Sequence, residues 1–261
     1  AGAHSHAVHK GATSQDVMDT ALALTLKAQT DILLTRIDVV ERALCELNER
    51  HGVARLMART RMQDALYITV ADRIEAWRRP LLNHSCRLTG LREKVERVQL
   101  GGPVGTRQDL GGQDDVMVHA LAEDLGLHAT KAVWHTDRTS ICEYGSSLSL
   151  IAGSLGKMGQ DLCLMALSGP SQLRLLGGGG SSAMPHKSNP ILAELMVTLA
   201  RYTATQLSGL HTALVHEQER SGSAWMLEWM ILPHISMATG RSLSVAAEII
   251  RNIAEIGESF G

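Results

Sequence analysis

Residues 13–52 read TSQDVMDTALALTLKAQTDILLTRIDVVERALCELNERHG, with no proline and no glycine before Gly52. Thr13 followed three positions later by Asp16 is a capped helix start, and Arg50-His51 before Gly52 is a helix end. One uninterrupted helix is therefore predicted across the whole stretch. A helical pattern this long implies a coiled coil, a membrane span or a repeat, and the charges Lys27, Asp31, Arg36, Asp38 and Glu41 exclude a span. Leu22, Leu24, Leu26, Ile32, Leu33, Leu34, Ile37, Val39 and Val40 are too many apolar residues for one face. A helix apolar so far round must be covered on several sides, which predicts an all-α fold of long bundled helices associating between copies of the chain.

The rest of the sequence extends this pattern. Thr69 with Asp72 starts a second helix that runs through Trp77 to about Val98, with a kink predicted at Pro80. A turn at Gly101-Gly102-Pro103-Val104-Gly105-Thr106 breaks the chain, and further helices are predicted at 112–125, 137–168, 190–214 and 223–257. No convincing alternating strand is apparent. The 261 residues are 44% hydrophobic and 20% charged, which suits a globular protein, and only 3% are aromatic, so the core should be aliphatic and methionine. A formal charge of −2 gives no electrostatic case for nucleic acid or anionic lipid. Cys45, Cys86, Cys142 and Cys163 are widely spaced with no CxxC pair, which fits buried thiols in a reduced, cytoplasmic compartment.

Chemistry concentrates in residues 177–194, GGGGSSAMPHKSNPILAE. Four glycines lead into the hydroxyls of Ser181 and Ser182; Lys187 adds a cation; Asn189-Pro190 reads as an N-cap and first helical residue before Ile191, Leu192, Leu195 and Met196. A glycine-rich linker would have no use for Met-Pro-His-Lys between its glycines and a helix cap. The reading is a mobile loop that closes on an anionic substrate. Residues 9–16, HKGATSQD, place two hydroxyls and an amide at the start of the first helix, either as a plain cap or as a carboxylate cradle. Arg138 and Arg220 can clamp a multiply charged acid or lie solvated on the surface. His216-Glu217 lacks the second histidine of a zinc-protease motif, since Arg220 stands there, and His4 and His6 form no defined ligand set. No metal and no cofactor is implied.

The 177–194 loop resembles, nearly residue for residue, the signature loop of the fumarase/aspartase superfamily, and residues 9–16 resemble the superfamily's HxGxTSxD segment. The resemblance continues at Trp134-His135-Thr136-Asp137-Arg138 and at His216 to Trp229. It implies Ser181 as the residue that exchanges a proton on carbon, with Lys187 and Asn189 as its catalytic companions. His9, Thr13, Ser14, Gln15, Arg61, Gln63, Arg138 and Arg220 become substrate-binding candidates. It also implies a homotetramer in which several copies build each site around a small di- or tricarboxylate. The family has a histidine where this chain has Arg61, in Arg59-Thr60-Arg61-Met62-Gln63-Asp64-Ala65. Arginine stays protonated and cannot manage the proton of an amine or hydroxyl leaving group. A carboxylate adding within its own molecule needs no such partner, so the expectation is the family's muconate-lactonising branch. Adenylosuccinate-type elimination and a non-catalytic helical scaffold remain the alternatives. By the same resemblance, residues 1–261 are expected to correspond to the superfamily's central helical domain, with the N-terminal domain absent and the C-terminal part shortened.

Overall fold

The computed structural model describes residues 2, 5, 8–167, 172–180, 184 and 188–258. Helices dominate: α1 (Ser14–His51), α2 (Val70–Val95), α3 (Asp114–Leu125), α4 (Thr139–Met165), α5 (Ile191–Thr212) and α6 (Ser223–Arg251). The chain forms two compact units, one of Ala1–Ile32, Leu88–Gly145 and Ser208–Leu232, the other of Leu33–Arg87, Ser146–Leu207 and Pro233–Gly261.

The helix boundaries follow from local chemistry. α1 begins one residue after Thr13, whose backbone N–H donates to the Asp16 carboxylate (2.9 Å), and ends where the Gly52 N–H donates to the Asn48 carbonyl (2.7 Å). α2 opens with a reciprocal cap: the Thr69 N–H donates to Asp72 (2.9 Å) and the Asp72 N–H donates to the Thr69 hydroxyl (3.2 Å). α2 continues through Pro80 and α6 through Pro233.

In the first unit, Ala23, Val98, Leu100, Leu110, Val118, Ala122 and Leu127 form one buried cluster. In the second, Leu33, Ile37, Val40, Leu44 and Leu47 line a single face of α1 and are at most 2% exposed. Their alternating spacing of four and three keeps them on one stripe, which is the geometry of bundled helices. Removing such a leucine from water is worth about 1.5–3 kcal/mol, so this stripe outweighs any helix propensity of the exposed residues. On the first-unit segment of α1, Val17 (58%), Met18 (43%), Leu24 (36%) and Ile32 (52%) remain exposed, so that segment is indeed apolar beyond the face its own unit covers.

The structure corrects the expectation that the chain has no strands. β1 (Arg55–Thr60) and β2 (Gln63–Thr69) form an antiparallel hairpin. Shorter pairs join β3 (Leu173–Leu175) to β6 (Ile253–Ile256), and β4 (Gly179–Gly180) to β5 (Ser188–Asn189). The hairpin leaves no alternating signature in the sequence because the first five residues of β2 are all exposed. Its turn is also unusual. Thr60 pairs with Gln63 across the two residues Arg61 (φ 50°) and Met62 (φ 69°), a left-handed turn normally built from Asn and Gly. The last helix ends at Arg251, short of the expected 257, because residues 253–256 are taken up pairing with β3.

Candidate functional site

At the start of α1, the first unit builds a layered polar cluster. Asp16 is its hub. Its carboxylate accepts the backbone N–H groups of Thr13 (2.9 Å), Gly101 (2.8 Å) and Gly102 (3.0 Å), and meets His135 Nε2 at 2.7 Å. Burial pushes the Asp16 pKa up, but the His135 contact and the three backbone donors outweigh it and hold the group below the ordinary carboxylate value. Asp16 is thus ionised, and the proton in the contact sits on His135 Nε2. Glycine at 101 is a packing requirement, since a Cβ there would lie 2.7 Å from His135 Cε1.

Beneath this lies an ion triad. Arg138 donates from Nη1 to Asp19 (2.9 Å), and from Nε and Nη2 to the two oxygens of Glu228 (2.9 and 2.5 Å). Its guanidinium also lies 4.9 Å from the Trp134 ring centre. Asp19 further accepts the side-chain amides of Gln15 (3.2 Å) and Gln99 (3.3 Å). This corrects two expectations. Arg138, with 1% of its side chain exposed, is neither a substrate clamp nor a solvated surface arginine. Gln15 is fully buried and donates to the His135 carbonyl (2.9 Å), so it supports the cluster from inside.

Other predicted residues do reach the surface of this unit together. Arg220 Nη1 donates to the Thr13 hydroxyl at 2.5 Å, and Ser14 and Arg220 are exposed. His9, with φ 69°, is exposed on the segment leading in. In the sequence His216 opens both an incomplete zinc-protease motif and a segment that resembles the superfamily. Burial, then the Arg138 charge, lower its pKa, so it is a neutral imidazole within the field of the Arg138–Glu228–Asp19 group. The adjacent Glu217 accepts the Ser221 hydroxyl and the Ser223 hydroxyl (3.2 Å), which ties the segment to the start of α6.

The second unit carries the other candidates. Arg61 stands at the hairpin tip in a backbone conformation that costs a side-chain-bearing residue about 1–2 kcal/mol. Arg59 donates to Asp64 (2.8 Å) and to Gln172 (2.9 Å), while Gln63 is exposed. Asn189 is not a helix cap as expected. It lies in β5 opposite Gly179, and Pro190 offers the first helical carbonyl, to the Glu194 N–H (3.0 Å). The glycines before the loop have a second use besides mobility. A Cβ on Gly178 would lie 2.0 Å from Ser188 Oγ and one on Gly179 2.0 Å from Ile191 Cδ1, so a larger residue at either position would force those side chains to move. These strands close the base of the serine loop. Ser181 and Lys187 themselves lie outside the described residues.

The chain is similar to known proteins over most of its length. A family profile described as lyase matches residues 2–204. The chain is 35% identical over 249 residues to a 3-carboxy-cis,cis-muconate cycloisomerase of Pseudomonas aeruginosa, covering 94% of this chain and 54% of that protein. It is also 35% identical over 258 residues to the Acinetobacter baylyi protein of the same name, covering 97% and 57%. The crystal structure of 3-carboxy-cis,cis-muconate lactonizing enzyme from Pseudomonas putida superposes with a TM-score of 0.89 at 34% identity, covering 95% of this chain and 55% of that one. The chain thus spans little more than half the length of these relatives. Because the profile match takes in well over half of the residues here, this chain belongs to the lyase family, the fumarase/aspartase superfamily.

Proposed function

We propose that the chain serves a cycloisomerase that closes 3-carboxy-cis,cis-muconate, or a closely substituted muconate, to its lactone. The observation that carries this reading is Arg61 at the hairpin tip, the position at which the resemblance puts the histidine that exchanges the leaving group's proton in an eliminating lyase. A substrate carboxylate attacking its own double bond arrives already deprotonated. One carbon–oxygen bond forms, one π bond breaks, and the neighbouring carbon takes a proton. Ser181 is the proposed donor of that proton. Lys187 and Asn189 are proposed to stabilise charge on the substrate carboxylate beside that carbon, and relatives with 35% identity bear the matching name.

His9, Thr13, Ser14 and Arg220 are the proposed carboxylate cradle, and Arg61 and Gln63 are proposed to reach substrate from another copy of the chain. The proposal includes a homotetramer that assembles each site from several copies. The exposed Val17, Met18, Leu24 and Ile32 of α1 support it, because such a row is normally covered by a partner helix. The test is a substrate panel followed by ultraviolet absorbance: 3-carboxymuconate, 3-sulfomuconate and adenylosuccinate, with wild type and Arg61→His. Muconate absorbance should fall with both proteins. Cleavage of adenylosuccinate by wild type, with the muconates untouched, would overturn the reading.

A further inference from the structure

Below the β1–β2 hairpin, within the second unit, lies a cleft of about 580 Å³ whose apolar walls are methionine and leucine side chains. Among the described residues its charged lining is one-sided: Arg59, Arg61, Arg73 and Lys157 face the single carboxylate of Asp161. That carboxylate is already shared. It accepts the Trp77 indole N–H at 2.7 Å and pairs with Lys157, which leaves Arg73 Nη1 at 3.7 Å. The next atom at Arg73 Nη1 is the Met165 sulfur at 4.0 Å, a weak acceptor. Arg59 is occupied by Asp64 and Gln172, and Arg61 makes no ion pair among the described residues. The Arg73 side chain is only 18% exposed.

A guanidinium on a half-buried side chain is held best by close oxygen partners, and a distant half-share of one carboxylate is a poor one. An entering carboxylate or sulfonate would supply two acceptors in the planar geometry that arginine binds best, and the apolar walls suit a hydrocarbon skeleton. We infer that Arg73, with Lys157 at the rim, forms a subsite for an organic oxyanion, and that it selects substrates carrying an additional anionic substituent. Arg61 would then sit above the same group, which gives a use for the strained turn that presents it. The substrate assignment rests on the proposed lactonisation; the anion subsite does not.

The experiment has two arms, on the whole chain. In the first, citrate, as a tricarboxylate probe, is titrated against wild type, Arg73→Gln, Arg73→Lys and Lys157→Gln by calorimetry. Affinity should fall roughly tenfold or more in Arg73→Gln, the loss expected for a charge-assisted contact, and be largely restored in Arg73→Lys. Lys157→Gln changes an exposed side chain and should weaken binding while leaving the fold intact. In the second arm, Arg73→Gln should raise KM for 3-carboxymuconate by roughly tenfold, again the worth of one charged hydrogen bond, and leave unsubstituted cis,cis-muconate within about twofold. Citrate binding lost in Arg73→Gln with no muconate turned over would keep the subsite and reject the lactonisation reading. Unchanged citrate affinity in both Arg73→Gln and Lys157→Gln would overturn the inference, whatever the activity.

Discussion

Asp16 and His135, 119 positions apart in sequence, meet through a 2.7 Å hydrogen bond in which both side chains are almost wholly buried. The contact joins the start of α1 to the Trp134–Arg138 segment and so fixes where Thr13 and Ser14 present themselves.

This relationship predicts an acid sensitivity. The folded pKa of Asp16 is depressed, so its contribution to stability is present above the unfolded value and is lost as pH falls through the folded one. Asp16→Asn keeps the shape but turns an amide N–H₂ toward donors. The variant should be less stable by about 2–4 kcal/mol at pH 7, and its loss of stability below pH 4 should be shallower than that of wild type. Urea midpoints across pH check both; parallel acid limbs would show that Asp16 is not the titrating group.

The Arg138 triad makes a sharper test. Arg138→Met abandons two buried carboxylates and should cost about 3–5 kcal/mol. Adding Glu228→Leu removes one of them, and Asp19 retains the Gln15 and Gln99 amides. The double variant should therefore be more stable than the single one by urea denaturation. The reverse order would mean that Glu228 contributes stability through contacts other than Arg138, and that its unpaired charge is not the source of the loss.

At the hairpin tip, Met62→Gly should stabilise. Relief of the left-handed strain, about 1–2 kcal/mol, exceeds the additional backbone entropy that glycine loses on folding, about 0.5–1 kcal/mol. Met62 is 70% exposed, so little packing is lost with it. A raised urea midpoint at unchanged slope is the expected result; a lowered one would show that the methionine makes contacts outweighing its strain.

His84 predicts an effect in a milder pH range. Arg87 can only donate to its Nδ1 (2.7 Å), so Nε2 carries the proton and donates to Ser154 (2.8 Å). Burial, then the Arg87 charge, bring its pKa down to about 4. A histidine held neutral contributes fully above its unfolded value near 6.5, and that contribution falls away as pH drops from there toward 4. His84→Gln, which offers an acceptor and a donor, should flatten stability across that window. Thermal melts between pH 7 and 4 read it, and identical profiles would exclude His84 as the cause.

How much of this could be read from sequence depended on whether the signal was local. Thr13 with Asp16, Thr69 with Asp72 and the long apolar run of α1 are patterns within a few turns of helix, and each appears in the structure where it was expected. The hairpin was not legible because its turn uses Arg61 and Met62 where glycine and asparagine are the signal, and β2 has no buried face to alternate. Arg138 and Gln15 were misplaced for another reason. Their burial depends on Glu228 and Asp19, which only folding brings to them, and a charged or polar residue in sequence carries no mark of its partner.

The central claim is that the serine loop closed at its base by β4 and β5 carries out lactonisation through Ser181. The most direct measurement is the rate of loss of 3-carboxymuconate absorbance with wild type and Ser181→Ala, after light scattering has shown the same assembly for both. Wild type should consume the substrate, and Ser181→Ala should turn over at least about a hundredfold more slowly with substrate binding unchanged, as expected when a general acid is removed. Equal rates for the two proteins, or no consumption by an assembled wild type, would contradict the account.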